Sequence, residues 1–159
     1  MNNITHVNKD NKPQMVDVSK KKITSRSAHA QSIVVFPEEV ISRFVNGDIS
    51  SAKGPVFSTA IIAGVMAAKK THELIPFCHP IGLDDCELNI NLDESGAAIV
   101  NCICKVEHRT GVEMEAMVGA SIAALTIYDM CKALSHNIII KETVLISKTG
   151  GKATYYREN

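Results

Sequence analysis

The chain contains no tryptophan, and its aromatic residues are limited to three Tyr and four Phe, which leaves little flat surface for stacking on bases. It also lacks an excess of charge of either sign. Seventeen Lys plus Arg balance seventeen Asp plus Glu, and a formal charge of zero supplies no general field for nucleic acid or an anionic membrane. Any anion must therefore be held locally. No C-x-x-C spacing occurs among Cys78, Cys86, Cys102, Cys104 and Cys131, so this odd set reads as reduced thiols filling the core rather than a disulfide framework. No segment approaches the roughly 20 apolar residues of a membrane span, and the polar start from Met1 to Gln14 lacks the apolar stretch of a signal peptide. The expectation is a cytoplasmic protein with neither nucleic acid nor membrane as partner.

What is present is ordinary globular composition, with 45% hydrophobic and 21% charged residues in a chain of 159. That length suits one domain with one core. Residues 1–14, which carry Asn, Lys and a Pro without period, read as a flexible tail, and the domain is expected to run over 15–159. Ala28 to Phe36 reads as a strand, and Pro37-Glu38-Glu39 opens a short helix that stops at Asn46 and Gly47. After a loop over 48–54, Pro55 stands at a plausible first helical position, and Phe57, Ile61, Ile62, Val65 and Met66 recur at helical spacing up to Lys70. Cys86 to Leu92 and Ala98 to Val106 alternate as strands around an Asp93-Glu94-Ser95-Gly96 turn. Thr110 and Glu113 match a T-x-x-E capping box for a helix running to about Ser135, and Ile138 to Ile146 closes the series as a strand. Strand, helix, hairpin, helix, strand is the ferredoxin-like βαββαβ order, an α+β fold with an antiparallel sheet and both helices on one face.

In the long helix, Val118, Ile122 and Leu125 form a stripe continued by Asp129 and Lys132, so a charged pair is expected to interrupt a core face. The other side, with Ala116, Ala120, Ala123, Ile127 and Leu134, is also apolar, which predicts a second helix or subunit against one flank. Asp129 and Lys132 at i and i+3 fit a surface ion pair or, facing a polar cavity, a phosphate-holding and proton-donating pair. His79, stiffened between Pro76 and Pro80, fits either a turn histidine bonded to a carbonyl or an acid, base or anion ligand. His72 and Cys78 beside it lack paired zinc spacing, and no metal ligand is assigned. Lys53-Gly54 before a helix and Lys148-Thr149-Gly150-Gly151-Lys152 both suit anions, and two such sites in a neutral chain suggest a polyphosphate. Glu113 and Glu115, at the start of the long helix, fit capping and dipole roles. Two residues apart on a helix, they serve one site only if the segment unwinds or each meets a different neighbour.

Five stretches, in order, carry a resemblance: Lys53-Gly54, THELIPFCHP over 71–80, TGVEMEAM over 110–117, LTIYDMCKA over 125–133 and SKTGGK over 147–152. With the MVDVS start at Met15, and Thr24 and Arg26 after it, they resemble the MoaC family over nearly the whole chain. Pro55, where an acidic residue often follows Lys-Gly, Ile61, where an Arg is common, and the Ala153-Thr154-Tyr155-Tyr156 tail depart from that pattern. The resemblance implies a cyclic pyranopterin monophosphate synthase of molybdenum cofactor biosynthesis, a phosphorus-oxygen lyase. Its reaction converts 3′,8-cyclo-7,8-dihydro-GTP to the pyranopterin with release of pyrophosphate. It further implies a homohexamer, a trimer of dimers with sites at a subunit interface. Matched by motif, Asp129, Lys132, Lys53 and His79 are the implied catalytic residues, and Lys148, Glu113, Met114, Glu115, Cys78 and Arg26 the implied substrate contacts. No cofactor is required on this reading, with room for a divalent cation on the triphosphate. The alternative is a non-catalytic nucleotide or pterin sensor on the same scaffold, which needs the anion site but not the Asp129 and Lys132 pair.

Overall fold

The computed structural model describes residues 7–51 and 53–158, so the first part of the expected tail lies outside the described residues. Residues 7–13 form a small loop closed by a Val7 to Pro13 bridge, in which Asn8 Oδ1 accepts from the N–H groups of Asp10 and Lys12, both at 2.9 Å. The first strand, β1 (Thr24–Val35), begins earlier than its apolar run because Thr24 to Ser27 remain paired with β5 (Ala98–His108). Alternation then decides which side chains face in: Ala28, Ala30, Ser32 and Val34 are buried. The short α1 (Glu38–Ile41) follows Pro37, and the expected loop after it contains a two-residue ladder of β2 (Ser50–Ser51) and β3 (Gly54–Pro55). Because Pro55 stays in that ladder with ψ 129°, it caps the helix from outside, and α2 (Val56–Ala68) starts one residue later than its proline suggests. A single turn, α3 (Thr71–Leu74), ends before Pro76.

The hairpin forms as expected between β4 (Asp85–Leu92) and β5, with Asp93 Oδ1 accepting from the N–H groups of Ser95 and Ala97. It leads to α4 (Glu113–Cys131), β6 (Ile139–Thr149) and a two-residue β7 (Tyr155–Tyr156). The sheet order is β4-β5-β1-β6-β7 with every pairing antiparallel. The four long strands thus stand in the order of the ferredoxin-like βαββαβ arrangement, with α2 and α4 packed together over the sheet.

Two expectations about α4 are corrected. The capping box does not form: Val112 occupies the N-cap without a side-chain cap bond, and Glu113 instead binds Lys148 of β6 at 2.8 Å, a charge-assisted bond that outcompetes a cap. The stripe of Val118, Ile122 and Leu125 is not the core face. Val118 and Ile122 are half-buried and Leu125 is exposed, while Ala116, Gly119, Ala120, Ala123, Ala124 and Ile127 are buried. Helix α2 behaves alike, burying Ala60, Gly64, Ala67 and Ala68 and exposing Ile62 and Met66. Both helices turn their small residues inward because the axes approach closely: a β-carbon on Gly64 would stand 2.8 Å from the Gly119 carbonyl oxygen. The volume that periodicity assigns to the core is therefore left on the outer flanks. The expectation that no segment approaches a membrane span is also corrected: α4 has the length and composition of one, because its alanines and other apolar residues stand among few charges, and half of it is buried as in a core helix.

Candidate active site

The N-terminus of α4 opens on a cavity of about 470 Å³ that is walled by the start of β1, the segment around residues 77–81 and the end of β6. Each wall follows from local chemistry. Pro76 and Pro80 stiffen the segment that presents Cys78 and His79, and the Lys148 end of β6 pairs with Ala28 just beyond a bulge at His29 and Ala30. Beyond Lys148 the chain turns tightly at Gly150, whose φ of 78° and close approach to the Ser25 carbonyl exclude any side chain. The Tyr155-Tyr156 tail is ordered here as β7, with Tyr155 paired to Lys148 itself.

Seven of the ten residues expected at the site line this one cavity: His79, Arg26, Cys78, Glu113, Met114, Glu115 and Lys148. Lys148 Nζ donates to Glu113 Oε1, and both side chains are only about one-third exposed or less, at 35% and 28%. Arg26 Nε donates to the His108 carbonyl at 2.9 Å, which fixes the guanidinium at the rim. His79 makes the bond that the turn-histidine reading requires: its Nε2 lies 2.8 Å from the Val16 carbonyl oxygen. Since a carbonyl only accepts, Nε2 carries the hydrogen.

Glu113 and Glu115 both reach the cavity although α4 is regular from its first residue, because the cavity wraps the helix end and each meets different neighbours. Glu115 is buried, and desolvation, with the nearby Glu113 charge adding to it, pushes its carboxyl up to about 7. Burial also raises the Cys78 thiol, with Glu115 acting in the same direction. Lys21 and Lys152 complete the lining, so four cationic side chains face two carboxyls. Lys21 was missed in the sequence; the only signal was its place in the basic run Lys20-Lys21-Lys22.

Lys53, Asp129 and Lys132 stand elsewhere. Asp129 Oδ1 accepts from Lys132 Nζ at 2.7 Å and Oδ2 from Lys53 Nζ at 2.6 Å, forming a cation–anion–cation trio. The two bonds, that of Lys132 first, hold the Asp129 carboxyl down at about 2, and Asp129 in turn raises Lys132. The trio is about half-exposed, at 59%, 48% and 48% for Lys53, Asp129 and Lys132, which removes the desolvation cost expected of a charged pair on a core face. Asp129 follows Glu113 by sixteen residues of continuous helix, or roughly 24 Å at 1.5 Å per residue. One chain therefore carries the expected residues as two separate groups, at opposite ends of α4.

Comparison with known proteins gives a consistent result. The model of the MoaC family matches residues 15–151. The chain is 54% identical over 151 residues to a protein of Xanthomonas campestris pv. campestris (strain B100) named cyclic pyranopterin monophosphate synthase, covering 94% of this chain and 90% of that protein. It is 51% identical over 170 residues to molybdenum cofactor biosynthesis protein 1 of Dictyostelium discoideum, covering 96% of this chain but 27% of that longer protein. It is also 48% identical to a molybdenum cofactor biosynthesis bifunctional protein of Synechocystis sp. (strain ATCC 27184 / PCC 6803 / Kazusa), of which it spans 44%.

Proposed function

The chain belongs to the MoaC family, and on that footing we propose that it converts 3′,8-cyclo-7,8-dihydro-GTP to cyclic pyranopterin monophosphate and pyrophosphate. Its activity is that of a lyase of molybdenum cofactor biosynthesis acting on a small molecule. The observation that carries the reading is the cavity at the α4 N-terminus, where Lys21, Arg26, Lys148 and Lys152 gather cationic charge in a chain of zero net charge. These side chains suit a triphosphate, since catalysis of phosphoryl displacement is chiefly positioning and electrostatics. The carboxyls of Glu113 and Glu115 match the N–H and amino donors of a guanine-derived ring. Glu115 has a further use: a carboxyl near 7 holds and releases a proton at neutral pH.

On the trio the pKa directions refine the roles. Asp129 stays ionised and is too weak a base to collect a proton; it orients two ammonium groups, and Lys132 and Lys53 act as donors toward developing negative charge. A triphosphate cannot span both ends of α4 in one subunit. The reading therefore takes the site as completed between chains, the cavity of one subunit facing the Lys53, Asp129 and Lys132 group of another, within a hexamer built as a trimer of dimers. The half-buried and exposed apolar residues Val118, Ile122 and Leu125 beside that group support such an interface. No resident cofactor enters this scheme, and any divalent cation arrives with the triphosphate.

The test is pyrophosphate release and pterin formation from the cyclised GTP substrate, with Lys132→Ala beside the parent. Turnover in the parent and none in a folded variant supports the reading. Tight binding without turnover in either makes the protein a sensor instead, and sedimentation as a monomer contradicts the shared site.

A further inference from the structure

Away from the cavity, three of the five cysteines converge. Cys102 and Cys104 lie two apart on the inner face of β5, and Cys86 stands opposite Cys104 across the β4–β5 pair. Register thus brings to one spot three side chains that sequence spacing leaves unrelated. Sγ of Cys104 is 3.8 Å from that of Cys86 and 4.0 Å from that of Cys102, and all three sulfurs lie within 4.8 Å of one another. Cys102 and Cys104 are fully buried; Cys86 is half-buried and provides the route from solvent.

We propose that Cys86, Cys102 and Cys104 form a trigonal thiolate site for a soft monovalent cation, Cu(I). Three facts carry this. A point equidistant from three sulfurs so spaced lies about 2.3–2.5 Å from each, against roughly 2.3 Å for a metal–thiolate bond. Three thiolates are a ligand set that soft cations select. Among the described residues no imidazole or carboxylate joins the three sulfurs, so the fourth ligand of a closed tetrahedral zinc site is missing, whereas three sulfurs alone complete a trigonal one. The surroundings leave the sulfurs room to meet, because their neighbours on β1 are Ala28 and Ala30, and Gly119 of α4 lies directly over Cys102. On binding, each thiol that coordinates the ion gives its proton to solvent, and no electron changes hands. None of the three cysteines lines the reaction cavity, so this site does not depend on the proposed reaction.

The test is an anaerobic titration of the full chain with Cu(I) against bicinchoninate, read by loss of the chelator complex and by near-ultraviolet copper–sulfur absorption. One equivalent per chain is expected, with X-ray absorption reporting three sulfur neighbours and no nitrogen or oxygen. Cys86→Ser, which changes the half-buried ligand and leaves the buried pair intact, should weaken binding by at least about 100-fold, the upper end of what losing even a supporting group costs a metal site. Its thermal unfolding without copper should match the parent, which separates lost ligation from lost fold. Cys78→Ala, which removes a thiol outside the cluster, should leave the affinity within twofold. Equal affinity in the parent and Cys86→Ser, no stoichiometric binding, or two-sulfur coordination would each overturn the proposal.

Discussion

The two ends of α4 make the same kind of bond in different surroundings. At its N-terminus Glu113 meets Lys148 in a partly buried cavity next to a carboxyl held near 7; in its last turn Asp129 is clamped by two lysines in half-exposed positions and held near 2. Burial on one side and ion pairing on the other separate the two carboxyls: burial keeps a proton on Glu115, and two ammonium groups strip it from Asp129. A carboxyl able to exchange its proton near neutrality stands in the cavity, while the trio offers fixed charge.

The largest expected effect tests that division. Asp129→Ala and Lys132→Ala should each lower turnover by about 100- to 1,000-fold with the fold retained, the range seen on removing preorganised electrostatic partners; unchanged turnover would take the trio out of the reaction. Next, co-expressed Lys132→Ala and His79→Ala chains should recover about a quarter of parent activity, because half of random pairs are mixed and each mixed pair has one intact site of two. No recovery would leave the two ends of α4 in unconnected roles. Gly150→Ala should weaken substrate binding about tenfold and destabilise the chain by about 1–2 kcal/mol, since it forces a side chain into left-handed backbone against Ser25 beside Lys148.

The smallest effect concerns pH. The Glu115 carboxyl stands near 7 in the fold against an ordinary 4.5, so the folded chain binds more protons between those values. Its contribution is therefore full below 4.5 and lost as pH rises through 7. Glu115→Gln should raise the melting temperature by a few degrees at pH 8 and hardly at pH 4, and should remove a limb near pH 7 from the activity profile.

Much of this was legible in the sequence. Alternation in β4 and β5, the Asp93 to Gly96 turn and the order of elements lead to the sheet as found, because local pattern and tertiary pairing agree there. The cavity residues were legible as motifs. They were grouped with Lys53, Asp129 and Lys132 by the family resemblance, which implied sites at a subunit interface, and the separation of the two groups was countable from helix length. The inward face of α4 was not legible, since periodicity ranks Val118 and Leu125 above alanine, whereas the close approach of α2 at Gly64 favours the smaller residues. The meeting of Cys86 with Cys104 depends on strand register, which a single chain's spacing does not reveal.

The small-residue contact between α2 and α4 has a practical side. Ala60, Ala116, Ala120, Ala123 and Ala124, with Gly64 and Gly119, are already at or below the size to which scanning mutagenesis truncates. An alanine scan would pass over this helix–helix contact without a signal and credit its share of the stability to the larger side chains around it, such as Val34, Val56, Val100 and Ile127. The informative library there runs the other way, adding one methyl or methylene at a time, because overpacking by even that much costs about 1–3 kcal/mol in a filled interior. At this contact tolerance to mutation is one-sided: the facing helices have almost nothing to lose and very little room to gain.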